Sequence, residues 1–179
     1  MFAWLNNRKI VKRRAAELYD CIVLQGRSPA FYSKIGVADT LEGRFEMIVL
    51  HMFLVLNRLA KDQPETDELR RVLSEIFVTD MDDCMRELGV GDTSVPKKVK
   101  KAAIALRERY SALQVALSEG PAELADVLKP LSGREGEQDL SDEAAGRLAA
   151  YIIASEQKLA GQDLAKASGQ ASFGDPSEL

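Results

Sequence analysis

The fold is decided by residues 41–60, which read LEGRFEMIVLHMFLVLNRLA. Apolar residues recur along this stretch at steps of four and three, the spacing of one face of an α-helix. A second apolar stripe runs beside the first, through Val49, Phe53, Leu56 and Ala60. Because two adjacent apolar stripes require burial on most sides, the sequence predicts a central helix at 41–60. Asp39 stands three residues before Glu42, which predicts a capping box at the start of this helix.

Helical spacing continues through the flanking sequence, which contains no alternating strand pattern. Further helices are predicted at 7–25, 65–77, 80–88, 95–118, 121–131 and 142–160, with a short one through Phe31 and Tyr32. Thr79 and Ser141 are the expected N-caps of two of them. The sequence therefore predicts an all-α fold, a single compact helical domain of residues 1–160 with about six to seven helices around helix 41–60. Residues 161–179 are rich in Gly, Ser, Asp and Gln, which predicts a disordered C-terminal tail.

The composition of the chain excludes several kinds of functional site. The chain has 179 residues, 46% apolar and 29% charged, as expected for one soluble domain. Its two widely separated cysteines and single histidine exclude a disulfide framework, a cysteine-based zinc site and a multi-histidine metal cluster. No phosphate-binding loop, dinucleotide motif or activated nucleophile is found. We therefore expect no enzymatic activity, no cofactor and no DNA partner. Neither a signal peptide nor a membrane-spanning run is found, which predicts a cytoplasmic protein.

Two groups of basic residues stand out. The first comprises Arg8, Lys9, Lys12, Arg13 and Arg14, and the second comprises Lys97, Lys98, Lys100 and Lys101. Each group is either a solvated helix face or a contact for anionic lipid or RNA, and the sequence leaves both interpretations open. Phe2, Trp4 and Leu5 beside the first group add peripheral attachment to the inner membrane as a further hypothesis.

Some single residues also have two interpretations. His51 lies in the middle of the central helix, where a buried, hydrogen-bonded histidine is favoured over a haem or metal ligand. Four methionines indicate either core packing or an adaptable apolar groove: Met47, Met52, Met81 and Met85. Two polar segments, 27–45 and 79–92, are unusually rich in charged and turn residues. Gly43 in a first helical turn reflects either close approach of another backbone or chance. Arg44 opposes the positive end of the helix dipole, which predicts a carboxylate partner.

These two segments carry a resemblance to a known family. The stretches involved are Leu18-Tyr19, Arg27 to Tyr32, Val37 to Thr40, Gly43 to Phe45, Leu50-His51, Asp80 to Asp82, Arg86 to Asp92 and Val95 to Lys101. In their order and spacing they resemble the ubiquinol–cytochrome c chaperone family, assembly factors for the cytochrome bc1 complex. Mitochondrial members carry an N-terminal extension, so the chain resembles a bacterial-type member.

The resemblance implies an assembly chaperone. Mitochondrial members bind newly made cytochrome b, work with a small partner protein and associate with ribosomes, so these are the expected partners. Partner binding is expected at Arg27, Tyr32, Asp39, Arg44, His51, Asp80, Arg86, Glu87 and Asp92. Because Arg27, Arg44 and Arg86 can pair with the acids of this set, some members are expected to hold the fold together. A chaperone for a hydrophobic client also predicts an exposed apolar groove or patch of several hundred Å². The alternative is an adaptor that binds the ribosome or RNA through the two basic groups.

Overall fold

A computed structural model describes residues 2–132, 139–166 and 170–178, and the side chains discussed below belong to residues 8–131, 139–166 and 170–178. The α-helices are α1 Phe2–Gly26, α2 Leu41–Ala60, α3 Asp67–Glu87, α4 Val95–Glu119, α5 Pro121–Leu128 and α6 Asp142–Ala160. A single π-helical turn, Phe31–Ile35, lies between α1 and α2, and a 3-10 turn, Lys129–Ser132, follows α5. Because the described residues contain no strand, the predicted all-α fold is confirmed.

Helix α2 is the centre of the molecule. Every residue from Glu46 to Asn57 is buried, and α1, α3, α4 and α6 all pack against it. Each large aliphatic or aromatic side chain enclosed in this way contributes about 1.5–3 kcal/mol of hydrophobic stabilisation. The predicted central helix is therefore confirmed, with the predicted limits.

The capping residue of α2 differs from the prediction by one position. The Thr40 carbonyl accepts the first helical hydrogen bond from the Arg44 N–H at 3.0 Å, so Thr40 and not Asp39 is the N-cap. The Thr40 hydroxyl also accepts from the Gly43 N–H at 3.1 Å. A Cβ atom on Gly43 would lie 2.0 Å from the Ala38 carbonyl oxygen. Close approach of another backbone therefore explains the glycine.

Helix α3 is continuous, whereas the sequence predicts a break between residues 77 and 80. The Thr79 hydroxyl, expected to cap a new helix, donates to the Glu75 carbonyl at 2.9 Å, as it does inside a helix. Phe77 and Met81 lie one turn apart and are both buried. The prediction is wrong because the local cap signal is outweighed by this apolar face, which continues across the expected break.

Helices α1 and α3 run parallel. The hydrogen bond from Arg71 lowers the pKa of Glu68, and the positive charge of nearby Arg8 adds to this effect. The Tyr19 hydroxyl donates to Asp80 at 2.7 Å. The same sequence separation between facing residues of the two helices places Gly26, the last residue of α1, beside Glu87, the last residue of α3. Helix α4 returns along α3 after the turn at 88–94. The segments on both sides of Gly26 and Glu87 therefore meet at one end of the molecule.

The stretch after α6, for which the sequence predicts disorder, is described at residues 161–166 and 170–178. Three of its apolar side chains are buried, those of Leu164, Ala171 and Phe173. The Phe173 ring packs edge-on against His51, with ring centroids 5.1 Å apart. Such isolated apolar residues in a polar stretch form no periodic pattern, so their burial depends on the surface opposite them.

Candidate partner-binding site

A groove of about 520 Å³ opens where α1 ends. It is lined by Arg27, Pro29, Tyr32, Ser33, Asp39 and Arg44. Four of these were expected at a partner-binding site, whereas Pro29 and Ser33 were not. The Ser28-Pro29 sequence predicts a turn in this part of the chain, but it does not predict a groove.

Gly26, the last residue of α1, packs closely on α2 beside the groove. A Cβ atom on Gly26 would lie 3.3 Å from the Met47 carbonyl carbon and oxygen, tighter than most van der Waals contacts. The Tyr32 hydroxyl donates to the Gly26 carbonyl at 2.9 Å, which satisfies one free carbonyl at the end of α1. Tyr32 is thereby held half-buried at the edge of the groove.

An ion pair forms the other side of the groove. The Arg44 Nε donates to Asp39 Oδ1 at 2.7 Å, which confirms the predicted carboxylate partner of Arg44. This hydrogen bond lowers the pKa of Asp39 and raises that of Arg44. Burial raises the pKa of Tyr32, an effect that the charge of Arg44 partly offsets. Both members of the pair are more than half exposed, so they remain accessible to a partner.

Tyr19 and Asp80 form a second polar contact beside the groove. Tyr19 is buried, and burial together with its hydrogen bond to Asp80 strongly raises the pKa of the phenol. The positive charge of exposed Arg27 acts in the opposite direction on Tyr19, Tyr32 and the Cys84 thiol. Arg27 therefore lies between the groove and the Tyr19–Asp80 contact.

The remaining predicted residues lie where α3 ends. Arg86 donates to Asp82 at 2.6 Å and to Asp92 at 2.9 Å, and Glu87 is exposed. Of the predicted arginine–acid pairs, Arg44–Asp39 and Arg86–Asp92 are thus present. We call this surface the mixed-charge end, and it comprises Arg27, Tyr32, Asp39, Arg44, Asp80, Arg86, Glu87 and Asp92.

His51 lies apart from this surface. It is fully buried, with Nδ1 2.6 Å from the Met47 carbonyl and Nε2 2.7 Å from the Tyr151 hydroxyl. Since a carbonyl only accepts, Nδ1 carries the proton and Nε2 accepts from Tyr151. Burial lowers the pKa of His51 to about 4. The expectation of partner contact at His51 is corrected, because this neutral imidazole belongs to the core and has no exposed surface.

The two basic groups lie in different places. Arg14 is only 3% exposed, and its Nε donates to the Leu164 carbonyl at 2.8 Å, so it does not belong to a basic surface. The other eight basic residues are exposed. The first group lies toward the start of α3, since Arg8 acts on Glu68, and the second lies at the start of α4, near the end of α3. A common basic face is therefore not formed.

Of the four methionines expected in the core or at an apolar groove, Met47, Met52 and Met81 are buried in the core and Met85 is half-buried, so the four do not line a common groove. The large apolar side chains exposed in the described part of the chain are Ile10, Leu24, Leu41, Leu88, Ile104 and Val115. Leu41 begins α2 and Leu88 follows α3, so both border the mixed-charge end.

Within residues 8–131, 139–166 and 170–178, no three His, Cys, Asp or Glu residues are grouped to hold a metal ion. None of the described helices has the length and apolar character needed to cross a membrane.

Comparison with known proteins shows the family of the chain. The family model described as ubiquinol–cytochrome c chaperone matches residues 33–172. The chain belongs to this family. The crystal structure of the Cbp3 homologue from Brucella abortus aligns with 100% of this chain and 99% of its own, at 32% identity and a TM-score of 0.82. No curated protein sequence matches. Membership of the ubiquinol–cytochrome c chaperone family identifies the chain as an assembly chaperone of the cytochrome bc1 complex.

Proposed function

We propose that this family member is a non-enzymatic chaperone that binds newly made cytochrome b through the mixed-charge end. The observation that supports the proposal is that Arg27, Tyr32, Asp39 and Arg44 line one groove of about 520 Å³. The other expected residues except His51, which are Asp80, Arg86, Glu87 and Asp92, lie toward the end of α3 and in the turn that follows it. Sequence segments that lie far apart in the chain supply these residues. Their convergence follows from the parallel packing of α1 and α3, and it supplies the varied charged and aromatic side chains that a binding surface uses.

The chemistry of this end suits a segment of a membrane protein near the membrane–water boundary. Arg27, Arg44 and Arg86 offer planar sets of N–H donors for carbonyl and carboxylate groups. Leu41 and Leu88 are 56% and 55% exposed and supply apolar area beside these donors. Arginine and tyrosine are the residue types that contribute most often to the binding energy of protein interfaces.

Photo-crosslinking during expression tests the proposal. A photo-reactive residue at position 32 or 88 is expected to crosslink cytochrome b. The same residue at position 115, which is 56% exposed near the end of α4 and remote from the mixed-charge end, is the matched control and is expected not to. Crosslinks from positions 32 and 88 to ribosomal proteins or RNA alone would contradict client binding. They would favour the alternative function, an adaptor that binds the ribosome or RNA.

Charge exchange separates partner contact from support of the fold. The double variant Asp39→Arg with Arg44→Asp keeps an exposed ion pair at the same place but reverses its polarity. We expect its melting temperature to be unchanged, because exposed pairs contribute little stability, and its crosslink yield at position 32 to fall several-fold. The control exchanges Glu68 and Arg71, an exposed pair with a 2.7 Å contact near the start of α3, and leaves the yield unchanged. Equal crosslink yields in both double variants would show that the Asp39–Arg44 pair does not contact the partner.

The expected ribosome contact and membrane location belong to the same proposal. The exposed lysines 97, 98, 100 and 101 lie near the mixed-charge end, which supports contact with a ribosome beside the client and a small partner protein. The exposed residues of the first basic group, Arg8, Lys9, Lys12 and Arg13, support a cytoplasmic protein held peripherally at the inner membrane. The side chains of Phe2, Trp4 and Leu5, which were expected to enter the membrane, lie outside the described residues.

Flotation with anionic liposomes tests the membrane contact. A variant with Lys9→Glu, Lys12→Glu and Arg13→Glu is expected to lose binding, because each basic residue near an anionic surface contributes about 1 kcal/mol. A matched variant with Lys97→Glu, Lys98→Glu and Lys100→Glu is expected to float as the unmodified protein does. Equal flotation of all three proteins would assign the membrane contact to other residues.

A further inference from the structure

A groove of about 490 Å³ runs between α3 and α4. Its α3 side carries Asp67, Arg70 and Arg71, and its α4 side carries Arg107 and Tyr110. These residues belong to the start of α3 and the middle of α4. The groove therefore lies away from the mixed-charge end, which forms where α3 ends.

Arg70 has hydrogen-bond donors that the described residues leave unused. Its side chain is 25% exposed, and its Nε is buried without an acceptor in the part of the chain that the structure describes. Its Nη1 reaches the Asp67 carboxylate only at 3.4 Å, beyond the usual range of a hydrogen bond. Because a buried donor without a partner is costly, the Arg70 guanidinium gains when an acceptor enters the groove beside it.

The α4 side of the groove supplies two more unused donors. The Arg107 guanidinium is exposed and forms neither a hydrogen bond nor an ion pair with the residues that the structure describes. The Tyr110 ring packs edge-on against Phe53, with ring centroids 5.5 Å apart, and its hydroxyl likewise has no partner among those residues. Unused donors thus line both sides of one groove.

The charges available in the groove favour a ligand with a single negative charge. Arg71 offers no free charge, because its guanidinium is held by two glutamates of α3. Arg70 and Arg107 are opposed by Asp67 alone among the lining residues, and Asp67 is 56% exposed. One positive charge therefore remains to be neutralised, which matches a monoanion better than a dianion or an acidic peptide segment.

The groove also has an apolar part. Leu56, Val78 and Leu106 line it, and the two leucines, 7% and 8% exposed, belong to the edge of the core. A ligand that carries hydrocarbon beside its anionic group fits this lining. The two free oxygens of a phosphodiester point in different directions, so donors on two helices can reach them, whereas a planar carboxylate suits the fork of one guanidinium.

The first basic group lies in the same part of the molecule as this groove. The hydrogen bond from Arg71 lowers the pKa of Glu68, and the charge of Arg8 adds to this effect, so Arg8 lies near the start of α3. Basic residues of this kind attract an anionic membrane surface. A membrane that approaches the first basic group therefore brings lipid phosphates close to the groove.

We propose that the groove between α3 and α4 binds the phosphodiester of one anionic phospholipid, which accepts hydrogen bonds from Arg70, Arg107 and Tyr110 while its acyl chains contact the apolar lining. Pockets of basic residues are an established way of binding phospholipid head groups. The proposal rests on the membrane location proposed above for the source of the ligand. It does not depend on the identity of the client.

Calorimetric titration of the full-length protein with dihexanoyl phosphatidylglycerol, kept below its critical micelle concentration, tests the proposal. Three further probes each lack one feature of this lipid: dihexanoyl phosphatidylcholine lacks the net charge, glycerophosphoglycerol lacks the acyl chains, and hexanoate carries a carboxylate in place of the phosphodiester. We expect each of them to bind about tenfold more weakly or worse, because hydrogen bonds to charged groups are the strong ones. Equal affinity of any of the three, or no binding of phosphatidylglycerol at millimolar concentration, would overturn the proposal.

Protein variants locate the binding. Arg107→Gln is expected to weaken phosphatidylglycerol binding about tenfold, and Tyr110→Phe to weaken it several-fold while the ring stays packed on Phe53. Lys98→Gln, an exposed residue of α4 that does not line the groove, is the matched control with the same loss of charge. Equal affinities of Arg107→Gln and Lys98→Gln would place the lipid elsewhere and contradict the proposal.

The same titration separates this site from the membrane contact of the first basic group. The variant with Lys9→Glu, Lys12→Glu and Arg13→Glu is expected to keep the affinity of the unmodified protein for monomeric phosphatidylglycerol, because these residues do not line the groove. Loss of this affinity in the triple variant would show that the lipid binds at the first basic group and would overturn the groove site. Flotation and titration therefore test the two proposals independently.

Discussion

At the scale of single residues, His51 shows how a polar side chain is accommodated in an apolar core. Its two nitrogens are satisfied by Met47 and Tyr151, and the Tyr151 hydroxyl accepts in turn from Gln25. This network requires a neutral ring, which burial enforces by lowering the pKa of His51 to about 4. Protonation would place an unpaired charge among Phe31, Tyr151 and Phe173.

We therefore expect stability to fall as the pH is lowered from about 6.5 to 4. Above the ordinary pKa of histidine, His51 is neutral in both states and its contribution is fully present. Below it, the unfolded chain binds a proton that the folded protein does not, which lowers the free energy of unfolding by about 3 kcal/mol at pH 4. Urea unfolding at several pH values measures this loss. The variant His51→Gln should lack this part of the slope, and identical slopes would contradict the assignment.

Gly43 and Gly146 allow a matched comparison of glycine-to-alanine substitution at two single residues within helices. Gly43→Ala brings a Cβ atom to 2.0 Å from the Ala38 carbonyl oxygen, so the start of α2 must shift. Overpacking of this kind costs about 1–3 kcal/mol. Gly146 lies in α6 with no atom within 4 Å of the added Cβ, so Gly146→Ala should stabilise by about 0.5–1 kcal/mol. Thermal unfolding compares them, and destabilisation by both variants would show that crowding at Gly43 is not the cause.

At the scale of secondary-structure elements, the hydrogen-bonding role of a hydroxyl side chain depends on its position in the helix. Thr40 and Ser141 accept from backbone N–H groups at helix starts, whereas Thr79 donates to a carbonyl inside α3. All three lie among polar residues that are typical of helix caps. Only the continuation of the apolar face through Phe77 and Met81 shows that α3 does not end there.

Alanine substitution distinguishes these roles. Ser141→Ala removes a cap and should lower the free energy of unfolding by about 1 kcal/mol. Thr79→Ala replaces an exposed threonine inside a helix by a better helix former, so it should be neutral or stabilise by up to about 0.5 kcal/mol. Chemical denaturation provides both values. A loss of 1 kcal/mol for Thr79→Ala would favour two separate helices at this position.

At the scale of the whole molecule, parallel packing of α1 and α3 brings their final residues together and so creates the mixed-charge end. The same packing keeps the two basic groups apart, which disfavours an adaptor that binds RNA through one continuous basic face. The segment after α6 returns to α1 and α2, where it covers His51 and Arg14.

The packing of this last segment can be measured. Phe173→Ala removes a buried ring from the contact with His51 and should cost about 3 kcal/mol. Ser172→Ala, at an exposed neighbouring side chain, should change stability little because its bonds to Gln162 use the backbone. If thermal unfolding of Phe173→Ala matches that of Ser172→Ala, the segment does not contribute to the core.

The sequence by itself determined the helical class, the limits of α2 and the family. These follow from apolar spacing within one helix and from short motifs, both of which are local properties of the chain. Only the tertiary structure decided that α3 is continuous, that Arg14 and His51 are buried, and that Leu164, Ala171 and Phe173 join the core. Each of these depends on which surface lies opposite a residue, and a single sequence does not contain that information locally. Arg14 differs from its basic neighbours only because Leu164, 150 positions later, returns to cover it.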